Sequence, residues 1–559
     1  MATLNPYGKV SEVEHERLVA RRKKRRRITT IGLSSVVLVA IIVATVVGVS
    51  QSKDNKTKGE TKSISSSVKA ICNVTPYPDS CCNSLAPLAK SGNLKPQELY
   101  KLSVQVAVDE LSRASKNFVE NGVKKLNITD KRTLAAIESC RELFSLALDH
   151  LNNSLSIKDM KLLEAFDDLR TWLSSAGTYQ QTCIDEVELA SSGLKTFTED
   201  NFKNSTAYTS NSLSIGALGA IGRRRLMSFG SEWVSVKDRK LLQTPSSSIK
   251  ADAVVAKDGS GKYKTIKAAL NAVPDKSEKR FVIYVKKGVY YENVRVEKNK
   301  WNVMMVGDGM DRTIVSGSLN FVDGTPTFQS ATFAVIGQGF IARDMGFRNT
   351  AGAAKHQAVA LMSTADHSVF YRCTMDAFQD TLYAHSNRQF YRECNIYGTV
   401  DFIFGNSAVV IQNCNILPKK PMLGQQITVT AQGKLDPNQN TGISIQNCTI
   451  SPAANLSGVN AFLGRPWKNY STTVLFHTYI DRFIDPKGWM PWVGTSAPDT
   501  IFYAEFQNRG AGAVTKNRVK WRGLKLNLSA SQIKKFTVGH FINGDKWVPA
   551  TGVSYQSGL

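Results

Sequence analysis

Carboxylate and amide side chains are the residues of the C-terminal half whose types and spacing best suit chemistry. Gln357, the adjacent pair Gln379 and Asp380, and Asp401 all lie in segments rich in apolar residues, with 21 positions between the two aspartates. Of two carboxyl groups held close together, one can stay ionised as a nucleophile while the other keeps a proton as a general acid. The glutamine amides can donate N–H groups to a developing oxyanion. The combination suits hydrolysis, although a lone Asp is usually a solvated charge and a strand Gln often part of an amide ladder.

Arg465 and Trp467 lie in the segment Leu463-Gly-Arg-Pro-Trp467, which offers a guanidinium two residues from an indole. The guanidinium can hold Asp401 ionised through a bidentate pair. The indole offers a stacking face for a sugar, and the alternative is a core tryptophan beside a surface arginine. Four further aromatic residues either continue a sugar-binding cleft or pack in a core: Tyr383, Phe402, Trp489 and Trp492.

The signatures of several common hydrolases are missing from the sequence. It contains no Gly-x-Ser-x-Gly elbow, no His-Glu-x-x-His zinc helix and no paired Cys-x-x-Cys knuckle. Serine and zinc mechanisms therefore lose their usual support. We predict neither a metal nor a cofactor, and the paired aspartates remain the candidate reactive groups.

The region that must position these side chains, residues 249–559, consists of short runs of Val, Ile, Phe, Tyr and Thr between Gly and Asn, which predicts many short strands. Five runs align, and their last residues are spaced by 20 to 34 positions: Asp344, Cys373, Cys394, Cys414 and Cys448. This period predicts a solenoid and favours a parallel β-helix over a propeller. One coil then separates Asp380 from Asp401, on the same face.

The four cysteines of these repeats allow two interpretations. Equivalent positions on adjacent coils lie about 4.8 Å apart, within the Cα separation that a disulfide tolerates. Cys373 can then pair with Cys394, and Cys414 with Cys448. Because cysteine is also a common buried residue, the alternative is a stack of four free thiols in the core.

The N-terminal residues predict a membrane anchor and entry into the secretory pathway. The basic run Arg21 to Arg27 precedes an uncharged stretch, Ile28 to Val49, that is long enough to span about 30 Å of hydrocarbon. The positive-inside rule keeps residues 1–27 in the cytoplasm and sends the rest into the lumen, where disulfides are the default. A buried core helix is disfavoured because the stretch is apolar on every face. Nine glycosylation sequons agree with export: Asn55, Asn73, Asn127, Asn152, Asn204, Asn447, Asn455, Asn469 and Asn527.

Two regions follow the anchor. Residues 50–67 are rich in Lys, Ser and Thr and predict a flexible stem. Residues 68–210 show apolar side chains at helical spacing and predict an all-α four-helix bundle. The cysteines of this bundle suit one local disulfide and one between helices, with Cys82 left over: Cys72 with Cys81, and Cys140 with Cys183.

A linker, residues 211–248, joins the helical region to the β-rich domain. It is rich in Ser and Gly and carries basic clusters at Arg223–Arg225 and Arg239–Lys240. Basic clusters in an exposed linker of a secretory protein favour proteolytic processing over a solvated hinge. Cleavage near Gln243 would free the β-rich domain.

The formal charge of +25 and a pI near 9.6 indicate an anionic partner. Nucleic acid, a membrane surface and an acidic polysaccharide all fit, and charge alone does not choose among them.

Five motifs in the C-terminal domain resemble those of the plant pectin methylesterases, and they occur in the family's order. The resemblance covers about residues 249–559 and is specific because all five are intact. They are Gly288-Val-Tyr-Tyr-Glu292, Gln357-Ala-Val-Ala-Leu361, Gln379-Asp-Thr-Leu382, Asp401-Phe-Ile-Phe-Gly405 and Leu463-Gly-Arg-Pro-Trp467.

This resemblance implies a right-handed parallel β-helix that hydrolyses the methyl esters of pectin to demethylated pectin and methanol in the cell wall, with no nucleic-acid partner. It implies Asp401 as nucleophile and Asp380 as acid/base. The residues implied to stabilise the oxyanion or bind substrate are Gln357, Gln379, Thr327, Arg465 and Trp467. A pectate lyase would need calcium carboxylates, and a non-catalytic pectin-binding protein would not need both aspartates.

The helical region resembles the pectin methylesterase and invertase inhibitor family. The resemblance implies that this region silences the esterase until a subtilase-type protease cuts the linker, and a separate inhibitor protein is a further possible partner. Arg239 to Leu242 resembles the family's processing site, and Arg224 to Met227 is a second candidate. Cys82 departs from the family's four-cysteine pattern, which leaves the pairing at Cys81 or Cys82 open.

Overall fold

The computed structural model describes residues 66–89, 94–123, 128–158, 165–221 and 250–559. The predicted anchor at 28–49 and both basic clusters of the linker lie outside these ranges. No helix within the described ranges is long and apolar enough to cross a membrane.

Helices make up the N-terminal part. They are α1 (Ser66–Cys72), α2 (Pro78–Leu85), α3 (Pro96–Asn117), α4 (Lys131–Ser156), α5 (Phe166–Ala190) and α6 (Ser192–Ile221), with a π-helical segment at Phe118–Val123. The N-cap residue of α4, Asp130, accepts a hydrogen bond from the Thr133 backbone N–H and so satisfies one free donor of the first turn. The long helices α3 to α6 pack each against the next, and α6 closes against α3. Their apolar stripes form one core.

Two disulfides hold this helical domain together. Cys72 pairs with Cys81, and Cys140 of α4 pairs with Cys183 of α5. Cys82 is a free thiol. The predicted local disulfide and the predicted disulfide between helices are therefore both confirmed.

Short strands form the C-terminal part. They are β1 (Ala253–Val255), β2 (Phe281–Val285), β3 (Gly288–Tyr291), β4 (Val294–Val296), β5 (Val303–Gly307), β6 (Thr313–Gly317), β7 (Phe333–Val335), β8 (Ile341–Arg343), β9 (Gly346–Asn349), β10 (Leu361–Ser363), β11 (Ser368–Tyr371), β12 (Thr374–Asp376), β13 (Leu382–Ala384), β14 (Arg388–Arg392), β15 (Asn395–Gly398), β16 (Ile403–Gly405), β17 (Ala408–Gln412), β18 (Asn415–Pro418), β19 (Ile427–Gln432), β20 (Gly442–Gln446), β21 (Thr449–Ile450), β22 (Ala461–Gly464), β23 (Thr472–Phe476), β24 (Tyr479–Ile480), β25 (Phe502–Phe506) and β26 (Leu524–Lys525).

Short helices accompany the strands. They are α7 (Ile266–Asn271), α8 (Ala530–Ile533), α9 (Val538–Phe541) and α10 (Val548–Thr551), with 3-10 turns at Thr327–Gln329, Ala353–Lys355, Ala511–Ala513, Lys534–Phe536 and Gly544–Lys546. Residues of α9 and α10 pack on the outer side of the largest sheet.

The strands form three parallel sheets that share the coils of a β-helix. The eleven-stranded sheet runs β1-β2-β5-β8-β11-β14-β17-β20-β23-β25-β26, the seven-stranded sheet β22-β19-β16-β13-β10-β7-β4, and the eight-stranded sheet β24-β21-β18-β15-β12-β9-β6-β3. Each coil contributes one strand to each sheet over most of the domain, so residues at equivalent positions stack. The predicted parallel β-helix is confirmed.

A repeated backbone bend sets the register of the coils. At the same corner of five successive coils the chain adopts a left-handed conformation, at Asp344, Arg372, Glu393, Asn413 and Asn447. The following side chain then points inward, and in four of these coils it is a buried cysteine of the core.

These four cysteines are free thiols, so the predicted disulfides Cys373–Cys394 and Cys414–Cys448 are wrong. In-register parallel strands keep equivalent side chains parallel and about 4.8 Å apart, whereas a disulfide needs Cβ atoms at about 3.8 Å. The thiols instead bond to backbone: the Cys414 sulfur accepts the Cys394 N–H, and the Cys448 sulfur accepts the Cys414 N–H, each at 3.3 Å.

We expect thiol titration of the denatured, unreduced full-length chain to count five free thiols, Cys82 and the four stacked cysteines. The native protein should react at Cys82 alone, because the other four are buried. A count of one thiol after denaturation would mean that the coils are bridged after all.

Candidate active site

The candidate residues gather on the seven-stranded sheet. Gln357 precedes β10, Gln379 and Asp380 precede β13, and Asp401 precedes β16. Strands β13 and β16 pair in register with an offset of 21 residues. The two aspartates therefore lie at equivalent positions of adjacent coils, as the spacing predicts, and both are buried.

Three more predicted residues lie on other coils of this sheet. Thr327 opens the 3-10 turn before β7, while Arg465 and Trp467 follow β22. The hydroxyl of Thr327 is buried. Coils on both sides of the aspartates thus contribute to one site.

Arg465 forms a bidentate ion pair with Asp401. Its Nε donates to Oδ1 at 2.8 Å and its terminal nitrogen donates to Oδ2 at 2.6 Å. Although burial acts in the opposite direction, the hydrogen bonds and the charge of Asp401 raise the pKa of Arg465. The predicted contact between this arginine and this aspartate is present in the structure, and it holds the carboxylate in one orientation.

Asp380 has the opposite environment. Burial raises its pKa well above the usual range, and the nearby charges of Asp401 and Glu186 act in the same direction, against the opposing effect of Arg465. A protonated Asp380 beside a paired Asp401 is the asymmetric state in which one acid can donate a proton and the other can attack.

The two glutamines lie side by side. Gln357 and Gln379 form a parallel backbone bridge between neighbouring coils, and both are half-buried. Asp380 immediately follows Gln379 in the chain. This placement is compatible with donors directed at a group bound over the aspartates.

Aromatic rings form a row beside the aspartates. Tyr383 stacks on Phe404 with ring centroids 4.1 Å apart, Phe404 lies 6.2 Å from Trp467, and Trp467 lies 6.5 Å from Trp492. The Arg465 guanidinium lies 4.3 Å from the Trp492 ring centroid. Tyr383 and Phe404 are buried in one cluster with residues of the helical domain, whereas Trp467 and Trp492 keep exposed area that can stack against sugar rings.

Phe402 and Trp489 do not belong to this row. Both are buried in the interior core of the β-helix, and the Trp489 indole N–H donates to Glu505 at 3.0 Å. Of the two alternatives for these residues, core packing is correct. Phe402 follows Asp401, where a left-handed φ of 50° bends the chain, and both Phe402 and Ile403 lie in the interior core.

The helical domain supplies a residue that the sequence reasoning missed. Glu186 of α5 is buried, and its Oε1 accepts the Phe328 backbone N–H at 3.1 Å, next to Thr327. Its charge influences Asp380. An acidic residue on a helix carries no local signal of such a contact, because its partner is 142 positions away.

Other residues of α5 and their neighbours extend this interface. Asp185 pairs with Lys468 at 2.7 Å, beside Trp467. Thr182 hydrogen-bonds the His385 ring at 2.8 Å, and burial lowers the pKa of His385 to about 3, so this ring is neutral.

A buried charge cluster lies farther along the same interface. Arg388 of β14 is held between Asp366 of the β-helix and Asp168 of the helical domain, at 2.6 and 2.7 Å.

Two family models match the chain. The model described as Pectinesterase matches residues 252–545, and the model described as Plant invertase/pectin methylesterase inhibitor matches residues 66–215. Among curated relatives, probable pectinesterase/pectinesterase inhibitor 46 of Arabidopsis thaliana is 56% identical, covering 99% of this chain and 100% of the relative. Pectinesterase 3 of Phaseolus vulgaris is 48% identical, covering 99% and 98%.

A solved structure also matches. The pectin methylesterase from carrot is 53% identical with a TM-score of 0.55, and the match covers 56% of this chain and 99% of the carrot chain. Almost the whole carrot chain therefore corresponds to little more than half of this one.

The β-helix with paired aspartates, together with these matches, defines an ester hydrolase. The chain belongs to the pectinesterase family, and an invertase/pectin methylesterase inhibitor domain precedes its enzyme domain.

Proposed function

We propose that the β-helix domain hydrolyses methyl esters of galacturonosyl units in pectin by an aspartyl nucleophile mechanism. The observation that carries this proposal is the unequal environment of the two aspartates. Asp401 is held in a bidentate pair with Arg465, while burial raises the pKa of Asp380 well above its usual range. This difference supports Asp401 as the nucleophile and Asp380 as the general acid.

The reaction proceeds in two displacements. The Asp401 carboxylate attacks the ester carbonyl, and the oxyanion is stabilised by the amides of Gln357 and Gln379. As the tetrahedral intermediate collapses, Asp380 gives its proton to the departing methoxy oxygen and methanol leaves. Water then attacks the acyl-enzyme while Asp380 takes up a proton, which releases the galacturonate carboxylate and restores both acids.

Substrate binding uses the coils on either side. We assign Thr327, Gln357, Arg465 and Trp467 to substrate binding, with the aromatic row from Tyr383 to Trp492 stacking against sugar units. Residues 243–559 carry 36 Lys and Arg against 21 Asp and Glu, a net charge of +15 that supports binding of the polyanionic product.

The precursor is proposed to reach the cell wall through the secretory pathway. The basic run and apolar stretch at 21–49 would anchor it in the membrane. Cleavage of the linker at Arg239 to Leu242 or Arg224 to Met227 by a subtilase-type protease would then free the esterase.

The helical domain is proposed to inhibit the esterase before cleavage. Support comes from the position of α5, whose Glu186 lies against Phe328 and near Asp380, and whose Asp185 pairs with Lys468 beside Trp467. A pectin chain and this helix would need the same space.

Purified residues 243–559 are expected to release methanol from highly methylated pectin, with or without EDTA. Asp401→Asn should lower kcat at least about 10³-fold, and Asp380→Asn should lower it about 10²- to 10⁴-fold. The matched control is Asp376→Asn, on the coil of Asp380 but in another sheet, where it forms ion pairs with Arg348 and Lys419 at the surface. This control should keep wild-type activity.

Circular dichroism and thermal unfolding should be similar in all four proteins. A folded wild-type domain that binds pectin but releases no methanol would indicate a non-catalytic pectin-binding protein. An unimpaired Asp401→Asn variant would refute the aspartyl mechanism.

Inhibition is expected to weaken as the pH rises. Burial raises the pKa of Glu186 to about 8, with the Phe328 N–H opposing this effect and the charge of Asp185 adding to it. In the separated helical domain the pKa of Glu186 returns to its ordinary value of about 4.3. Docking of the two domains is therefore coupled to the uptake of a proton by Glu186. The resulting stabilisation of the docked state is fully present below the ordinary pKa of Glu186, and it is lost as the pH rises through about 8.

The test uses the full chain with a protease site placed in the 222–249 segment and then cut. Gel filtration and methanol release between about pH 5 and pH 9 should show the two domains separating as the pH rises. Glu186→Gln, which stays neutral and keeps an acceptor for Phe328, should remove most of this dependence. Glu188→Gln, an exposed residue of the same helix paired with Lys195, should not. Identical pH profiles for wild type and Glu186→Gln would contradict the prediction.

A further inference from the structure

Thr428 of β19 directs all of its polar groups at the segment that carries Asp401. Its backbone N–H donates to the Thr399 carbonyl at 3.2 Å, and its carbonyl accepts the Phe402 N–H at 3.3 Å. Its hydroxyl accepts the Asp401 backbone N–H at 2.8 Å and donates to Asp401 Oδ1 at 2.6 Å. One residue therefore fixes both the backbone and the side chain of Asp401.

Asp401 needs such support because its backbone is in an unfavourable conformation. Its φ is 50°, in the left-handed region that residues with a Cβ rarely adopt. Conformations of this kind persist only where the surroundings determine them, and they cluster at functional sites. The Thr428 hydroxyl bridges the backbone N–H and the carboxylate of Asp401.

The hydroxyl and Arg465 act together on one oxygen. Oδ1 of Asp401 accepts from both the Thr428 hydroxyl and Arg465 Nε, whereas Oδ2 accepts from the arginine alone. The two oxygens of the nucleophile are thus made unequal. Thr428 is only 1% exposed, so water cannot replace its hydrogen bond without a change in the packing.

We propose that Thr428 is a positioning residue for the esterase reaction, which holds the Asp401 carboxylate in its attacking orientation through the hydroxyl. This role rests on the proposed function in which Asp401 is the nucleophile. A threonine suits the task because its β-branched side chain has few rotamers and belongs in a strand. Its methyl group packs while its hydroxyl makes both bonds.

Thr313 provides a matched control in another sheet. It opens β6, is fully buried, and its hydroxyl accepts the Asp308 backbone N–H at 2.9 Å and donates to the Val285 carbonyl at 3.2 Å. Thr313→Val and Thr428→Val each remove one buried hydroxyl at constant shape. Only the second removes contacts with Asp401.

The experiment measures methanol release by residues 243–559, the part that matches the carrot structure, released from the full chain by cleavage in the 222–249 segment. Thr428→Val should lower kcat about 10- to 100-fold, the effect of losing a hydrogen bond to a charged group, with KM within a factor of about two. Thr428→Ser, which restores the hydroxyl, should recover kcat to within about threefold. Thr313→Val should retain wild-type kcat and KM. If Thr428→Val does not fold, Thr428→Ala takes its place.

Equal kinetics for Thr428→Val and Thr313→Val, or no recovery with Thr428→Ser, would overturn the positioning role. Asp401→Asn, assayed in parallel, keeps this failure distinct from failure of the proposed function. If Asp401→Asn is inactive and Thr428→Val is unimpaired, only the role of Thr428 fails. If Asp401→Asn is fully active, the proposed function fails and the role of Thr428 fails with it.

Discussion

Two buried carboxyl groups on adjacent coils, one of them paired with a guanidinium, form the interaction on which the site depends. Two such groups in a low-dielectric environment cannot both be ionised without compensation. Arg465 gives both of its hydrogen bonds to Asp401, and burial together with the charge of Asp401 raises the pKa of Asp380. The raised pKa favours the protonated form of Asp380, while Asp401 is paired with a guanidinium. The two aspartates differ because Arg465 pairs with Asp401 and not with Asp380, although both residues are of the same type.

The same environment explains how a third acid, Glu186, can lie close to this pair. An ionised Glu186 near Asp380 would add a second repulsive charge, whereas the raised pKa of Glu186 favours its neutral form. Burial is the largest cause of the raised pKa of both Glu186 and Asp380.

The sequence predicts those features that depend on coil spacing, and it fails where orientation or distant contacts decide. The 21-residue separation correctly places Asp380 and Asp401 on neighbouring coils. The same argument fails for the cysteines, because register fixes Cα positions but leaves stacked side chains parallel and too far apart to bond. Phe402 could not be assigned to the core without knowing which face Asp401 occupies. The contact of Glu186 depends on the packing of two domains and has no local pattern.

The central claim is that Asp401 forms a covalent acyl-enzyme, and trapping with hydroxylamine tests it most directly. During turnover of methylated pectin, hydroxylamine should convert part of the Asp401 acyl anhydride to an aspartyl hydroxamate, which peptide mass spectrometry can locate. The account predicts this adduct on the peptide that contains Asp401, only in the presence of substrate, and not in the Asp380 peptide. Methanol release at the normal rate with no adduct, or an adduct on Asp380 alone, would contradict it.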